Sequence, residues 1–342
     1  MHLRSTRFMD FKFSQPNSQP DHQTAWEKAA VSTNQADPFC SSPAWQMAFH
    51  DAFSPDRRIL IVSRSNSLVA LAEHVSPQGE TYLTPIESHW FFGCPLLGSQ
   101  AVQLFNGLMD DIARLYAPAF PQIVISGIRP GGALSQRLIR TFIDRFDIYL
   151  HSSGAQCAAS LAGGVDGYLS RRSGNHRKKL RKQARKALEQ GVSFERVAPA
   201  SAEEAETTYA RMIAVELKSW KGIGKCGMAE TPAKEFYDFL LKRLASAQSG
   251  RVIFARHDNK DIGFIFGGMA GRIYRGQQFS YDEAWKHYSI GNIMQLEQIR
   301  WLCQEKAKRY DMGPLVGPKM AYKNHWTEKE IRLQTWILVK RR

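Results

Sequence analysis

From residue 250 to residue 312, three apolar runs are separated by two short polar breaks, and a long amphipathic stretch and one more apolar run follow. Residues 251–256, 262–269 and 272–281 read as strands, with 257–261 and Gly271 supplying the turns. Residues 290–307 read as a helix, because Ile293, Leu296, Ile299, Leu302 and Cys303 recur at helical spacing. Residues 309–312 form a short strand and 331–339 a last one. Strands joined by tight turns run antiparallel, whereas a strand reached through a helix runs parallel to the one before it. This order therefore demands a mixed sheet, and its meander-to-helix junction is the natural ligand site.

The segment upstream completes the unit. Residues 192–197 (VSFERV) read as a strand, and 203–220 and 232–248 as amphipathic helices separated by the glycine-rich loop KGIGKCGMAET. A basic helix over 168–190 precedes them.

A chain of 342 residues is long for one domain, and the N-terminal half has its own alternation. Residues 1–38 are polar and read as a loosely ordered extension with one short helix around Trp26. Pro43 opens a helix, residues 58–63 and 68–74 form a hairpin turning at Asn66, and 99–116 reads as one helix. Residues 122–126 are a buried strand and 132–146 another helix. We expect an α/β fold with a mixed sheet, divided into a polar extension 1–38, a first α/β domain 39–160, a basic interdomain helix within 161–191 and a second domain 192–342.

Composition excludes several classes. The five cysteines are scattered and form no C-x-x-C pair, which fits reduced thiols of a cytoplasmic protein and no disulfide frame or zinc site. The histidines show no metal-binding spacing, so no metal is expected. No signal-type apolar stretch opens the chain, and no apolar run approaches the ~20 residues a membrane-spanning helix needs. The net charge is +14, but residues 171–186 hold five Arg and four Lys with no acid, and these nine account for all but +5 of it. Basicity is therefore local, and specific DNA binding is not expected. The run leaves tRNA, a membrane surface or another polyanion open as a weak partner, against the plainer reading of a solvated helix between domains.

At the junction, Ser289 reads as an N-cap and Gly291 and Asn292 keep the first helical turn small. A helix start presents unpaired N–H groups and partial positive charge, which together suit a diphosphate. Two other motifs carry less. The segment 222–227 matches G-x-G-x-x-G, but it follows a helix and closes no βαβ unit. Cys226 within it has no histidine beside it in sequence to make it a nucleophile.

Four stretches carry a family resemblance: 216–222 (ELKSWKG), 280–282 (SYD), 289–291 (SIG), and Asp311-Met312-Gly313 followed by Tyr322-Lys323 and Trp326. The C-terminal half resembles the GNAT acyltransferase superfamily, in the bacterial branch of cellulose-biosynthesis-type acetyltransferases, and is similar to the Fem-type aminoacyltransferases. The resemblance covers 165–342 well and 39–160 in element order alone, so it implies two GNAT-like domains in tandem with the C-terminal one better preserved. Ser289-Ile290-Gly291 stands where the family usually has Ser-Pro-Gly, and the usual Gln/Arg-x-x-Gly-x-Gly/Ala loop is absent.

The resemblance implies acyl transfer from acetyl-CoA or another acyl-CoA co-substrate to an amine or hydroxyl acceptor. Ser289, Gly291 and Asn292 then hold the diphosphate, and Phe279, Ser280 and Tyr281 flank the pantetheine. Such chemistry needs a base for the acceptor's proton and an acid for the departing thiolate. Glu216 and Asp282 are the candidate bases, each also readable as a solvated helix residue or a turn cap; Tyr281 and Tyr288 are the candidate acids. Trp220, Lys221, Lys319, Lys323 and Trp326 are candidates for the acceptor cleft, the lysines for anionic groups and the tryptophans as walls or as core. The rival readings are an aminoacyl-tRNA-dependent Fem-type transferase and a catalytically degenerate module for a polyanion or membrane surface.

Overall fold

The computed structural model describes residues 20–341 apart from Asn34 and Val316. The first half comprises α1 (Pro20–Ser32), α2 (Pro43–Phe53), the hairpin β1 (Ile59–Arg64) and β2 (Ser67–Val75), and β3 (Thr81–Thr84). It continues through β4 (Leu96–Leu97), α3 (Ala101–Gly107), α4 (Met109–Leu115), β5 (Gln122–Ile128), α5 (Ala133–Phe142) and β6 (Phe146–Ser160). The second half comprises α6 (Gly164–Ser170), α7 (Gly174–Glu189), β7 (Ser193–Val197), α8 (Ala202–Glu216), α9 (Trp220–Ile223) and α10 (Ala233–Ser246). There follow β8 (Gly250–His257), β9 (Lys260–Ala270), β10 (Ile273–Tyr281), a 3-10 turn (Glu283–Tyr288) and α11 (Ile290–Gln304). The chain closes with β11 (Arg309–Pro314), a second 3-10 turn (Pro318–His325) and β12 (Lys329–Lys340).

All twelve strands join one mixed sheet in the order β1-β2-β3-β5-β12-β6-β11-β10-β9-β8-β7, with β4 beside β2. The halves repeat one scheme: an antiparallel meander, a helical crossover, and a strand parallel to the last strand of the meander. In the first half β3 pairs in parallel with β5, and in the second β10 with β11. The closing strands are exchanged. β12, the end of the second half, pairs with β5 of the first, and β6, the end of the first half, pairs with β11 of the second. β6 and β12 then pair with each other from Phe146 to Ala158, along the whole of β12. A ribbon of two long strands thus belongs to both halves.

Alternation along the strands sorts the core into two faces. Val252, Phe254, Phe264 and Phe266 pack with α2, α8 and α10, whereas Ile253, Ala255, Ile262 and Ile265 pack with α7 and α11. Truncating one of these fully buried phenylalanines to alanine costs about 3–5 kcal/mol. Ser173 and Ser201 cap α7 and α8 by accepting the N–H of His176 and Glu204, each cap contributing about 1 kcal/mol.

Several expectations need correction. Trp26 is 3 % exposed and donates to the Ser41 carbonyl at 2.8 Å, so α1 belongs to the first core and from Pro20 onward is no loose extension. The helix expected over 99–116 is two helices meeting at Leu108. The basic helix expected from 168 is broken between α6 and α7, because Ser173 caps α7. β3 and the fifteen-residue β6 were not expected; Ser, Gly and Ala make up much of β6, and its first half is largely exposed. It is extended because β12 pairs with it.

Candidate active site

The site begins where two parallel strands part. β10 and β11 pair only from Ile273–Arg275 to Arg309–Asp311, after which β10 runs on to Tyr281 with β9 alone as its partner. The last paired residues, Arg275 and Asp311, are buried charges. The Arg275 guanidinium lies 3.3 Å from Asp37, and Asp311 is held by Arg309 at 2.7 Å. Arg309 also donates to the carbonyl of Ala36. A buried ionic knot therefore ties the segment before α2 to the fork. Burial pushes the Asp311 carboxyl up to about 6, with Arg309 opposing the shift. Just past the fork Gly313 has φ +79° and lies against the Arg275 guanidinium, where a side chain would collide.

The opened edge of β10 lines a cavity of about 540 Å³. Phe279, Ser280 and Tyr281 form one wall, Trp220 and Lys221 a second, and Tyr310, Tyr322 and Lys323 a third. Tyr237 of α10 and Gln295 of α11 also reach it, so the gap between the strands is entered from both faces of the sheet. Tyr237 takes a hydrogen bond from the Gln278 amide at 2.7 Å. Gln295 is buried and engages Tyr310, leaving its Nε2 without a protein partner. A larger cavity of about 670 Å³ lies between α1 and the α10–β8 turn and shares none of these lining residues.

Lys221 is the central cation. Its ammonium donates to the Gln278 side chain at 2.9 Å and to the Phe279 carbonyl at 3.0 Å, and lies 3.7 Å from Glu216 Oε1. Burial lowers its basicity, and Glu216 opposes that shift. Glu216 itself is fully buried at the end of α8, accepting from the Met228 N–H at 3.1 Å. It faces the cleft through Lys221. Gly227 passes so close that a Cβ there would overlap Glu216 Oε1. The glycine-rich loop is thus wrapped around a buried carboxylate.

Of the remaining sequence candidates, Asp282, Tyr288, Ser289, Gly291, Asn292 and Trp326 do not line the cleft, whereas Lys323 does. Asp282 accepts from the Ala284 N–H at 2.9 Å and caps the 3-10 turn. Tyr288 lies beneath the ammonium of Lys186, 4.7 Å from its ring. Ser289 occupies the cap position of α11, but at φ +59° in the left-handed region, and its hydroxyl does not cap the helix. Instead Gln183 of α7 donates to Ser289 Oγ at 2.8 Å and accepts from the Asn292 amide at 3.4 Å. The helix start is therefore roofed by α7. Gly291 touches the Phe279 ring, where a Cβ would stand 3.0 Å away. Trp326 is 2 % exposed and is core, its carbonyl accepting from Tyr168. Lys323 donates to the Pro314 carbonyl at 2.6 Å, and burial lowers it to about 8. The Lys319 side chain lies outside the described residues. Sequence reasoning missed Tyr237, Gln278, Gln295 and Tyr310; the only hint was the polar pair Gln277-Gln278 inside an otherwise apolar strand.

A mixed sheet whose parallel strands part beside a helix start is the arrangement of the GNAT fold. Residues 174–324 match the family model of the acetyltransferase (GNAT) domain. No curated protein sequence matches the chain. Solved structures share the fold across nearly its whole length. A conserved protein of unknown function from Bacteroides thetaiotaomicron superposes with a TM-score of 0.68 at 10% identity, over 97% of this chain and 100% of that one. FemX gives 0.65 at 11% identity, over 95% and 97%, and L-PGS from Bacillus licheniformis 0.55 at 13%, over 88% and 93%. At such identities the likeness concerns the fold. Among the described residues no group of three or more His, Cys, Asp or Glu is placed to hold a metal, and no helix is long and apolar enough to cross a membrane.

Proposed function

We propose that this protein transfers an acyl group from an acyl-CoA thioester to an amine, or a hydroxyl, held in the cleft between β10 and β11. One observation carries the reading: beyond Arg275 and Asp311 the strands separate, and the opened edge of β10 lines a cavity of about 540 Å³. The acceptor nitrogen attacks the thioester carbonyl, a C–N bond forms, the C–S bond breaks, and the thiolate takes up a proton. In this reading the Lys221–Glu216 pair receives the acceptor's proton, directly or through water. Tyr281, in the wall of the cleft, is placed better than Tyr288 to serve the thiolate. Asp282 shapes the turn that follows the cleft.

Residues 289–292 hold the donor's diphosphate only after Gln183 swings off Ser289 and Asn292. Lys323, near the base of the cleft, adds a cation whose charge is sensitive to pH.

Thermal shift against acetyl-CoA, longer acyl-CoAs and aminoacyl-tRNA, followed by a thiol-release assay with amine acceptors, tests the proposal. A binding donor raises stability by RT ln(1 + [L]/Kd), about 2.7 kcal/mol at a hundredfold excess over Kd. Stabilisation by acyl-CoA with thiol release that needs an acceptor supports the reading. Stabilisation by charged tRNA alone replaces the donor and overturns it.

A further inference from the structure

Large apolar side chains stand in solvent around the mouth of this cleft. Leu217, in the turn after α8, and Trp220 and Ile223, at the two ends of α9, are 56 %, 47 % and 67 % exposed, and Met320 on the opposite lip is 39 % exposed. Folding gains nothing from leaving three such residues outside on seven consecutive positions, and clustered exposure of this kind marks a surface built for contact.

The same rim is cationic. Lys218 and Lys225 flank the apolar residues and are exposed. The 3-10 turn beside them is joined to this loop, since the Glu283 N–H donates to the Lys218 carbonyl at 3.1 Å, and it carries exposed Lys286 and His287. α7 runs along the next side. Its His176 stacks on His325 of the Met320 lip, and its Lys186 covers Tyr288 of the 3-10 turn. Arg172, just before the helix, is turned inward onto Glu328, but Lys178, Lys179, Arg181, Lys182, Arg185 and Lys186 of α7 are exposed. Leu188, at the end of the helix, is 75 % exposed.

We propose that this rim docks the protein on an anionic lipid bilayer surface, with Leu217, Trp220 and Ile223 entering the headgroup region and α7 lying against the anionic headgroups. Charge complementarity selects an anionic partner, and the apolar residues select one with a hydrocarbon layer beneath its charge. RNA satisfies the first condition and offers leucine and isoleucine nothing. The consequence is positional: the cleft opens at the lipid–water interface, where an amphiphilic substrate reaches it without leaving the bilayer.

Co-sedimentation of the full chain with vesicles tests this without any substrate, so its outcome is independent of whether acyl transfer occurs. The protein is expected to pellet with phosphatidylglycerol/phosphatidylcholine vesicles at low salt and not with pure phosphatidylcholine. The double variant L217S/I223S, altered only at exposed positions, is expected to weaken partitioning at least tenfold with an unchanged thermal midpoint. K178Q/K179Q/K182Q/R185Q is expected to do the same, as is 0.5 M salt. Failure to pellet with anionic vesicles overturns the proposal. So does undiminished binding by L217S/I223S, or tighter binding to RNA than to vesicles that is indifferent to that double change; either identifies a polyelectrolyte site.

Discussion

The ammonium of Lys221 donates to the main-chain carbonyl of Phe279 at 3.0 Å, in the gap where β10 has parted from β11. A side chain thus takes the place of a missing neighbour strand, and it does so 3.7 Å from the buried Glu216. Replacing Lys221 with methionine leaves that carbonyl and that carboxylate without their cation. Removing one partner of a buried polar pair costs about 1–3 kcal/mol, so denaturant unfolding of K221M should show a lower midpoint with an unchanged slope. Turnover should fall far more steeply than stability. K221M with normal turnover removes the Lys221–Glu216 pair from the chemistry.

Gly227 tests the packing on the other side of Glu216. An alanine there overlaps Oε1 of a side chain that is fully buried and cannot withdraw. Overpacking of this kind costs about 1–3 kcal/mol. Because the hardest clash is with Glu216, G227A/E216A should be less destabilised than the sum of its single changes, which a double-mutant cycle measures.

Lys323 sets a pH dependence. Burial lowers its ammonium from the ordinary lysine value of 10.5 to about 8, so the folded protein loses this charge as pH rises through about 8 while the unfolded chain keeps it up to 10.5. The contribution to stability therefore increases between those two values. Affinity for an anionic donor should move the opposite way, weakening as pH rises through about 8. A pH profile of donor KM checks this, and K323M should flatten both effects.

Gln183 controls the start of α11. If residues 289–292 receive a diphosphate, then Q183A, which releases Ser289 Oγ and Asn292, should lower the donor's KM with little change in kcat. If Q183A leaves KM untouched while S289A also does, the diphosphate lies elsewhere along the cleft.

The strand exchange predicts shared stability. β12 provides the partner of both β5 and β6, so a chain ending at residue 328 exposes two strand edges at the centre of the sheet. It should fail to fold, and the first half expressed as residues 1–160 should become soluble only when a peptide spanning 329–340 is supplied. A stable, monomeric 1–160 fragment contradicts this.

The elements of the second half were readable because each announces itself locally. Val252 to Ala255 alternate between two faces, Gly271 permits its turn, and Ile293, Leu296 and Ile299 mark the buried stripe of α11. β6 gives no such signal: from Tyr149 to Gly154 it is exposed or made of small residues, and its conformation follows from hydrogen bonds to a strand nearly two hundred positions away. Trp326 was legible as a large aromatic near the site, but only its neighbours decide that it is core.

Sequence alone determined the mixed sheet of the second half, the place of its meander-to-helix junction, and the residue types available around it, because turns, periodicity and the order of elements are properties of neighbours along the chain. The tertiary structure alone decided that Glu216 lies behind Lys221, that Gln183 lies over the helix start expected to be open, and that the closing strands change places. Each of these depends on pairing across long sequence separations, where geometry and burial rather than local pattern set which partner wins.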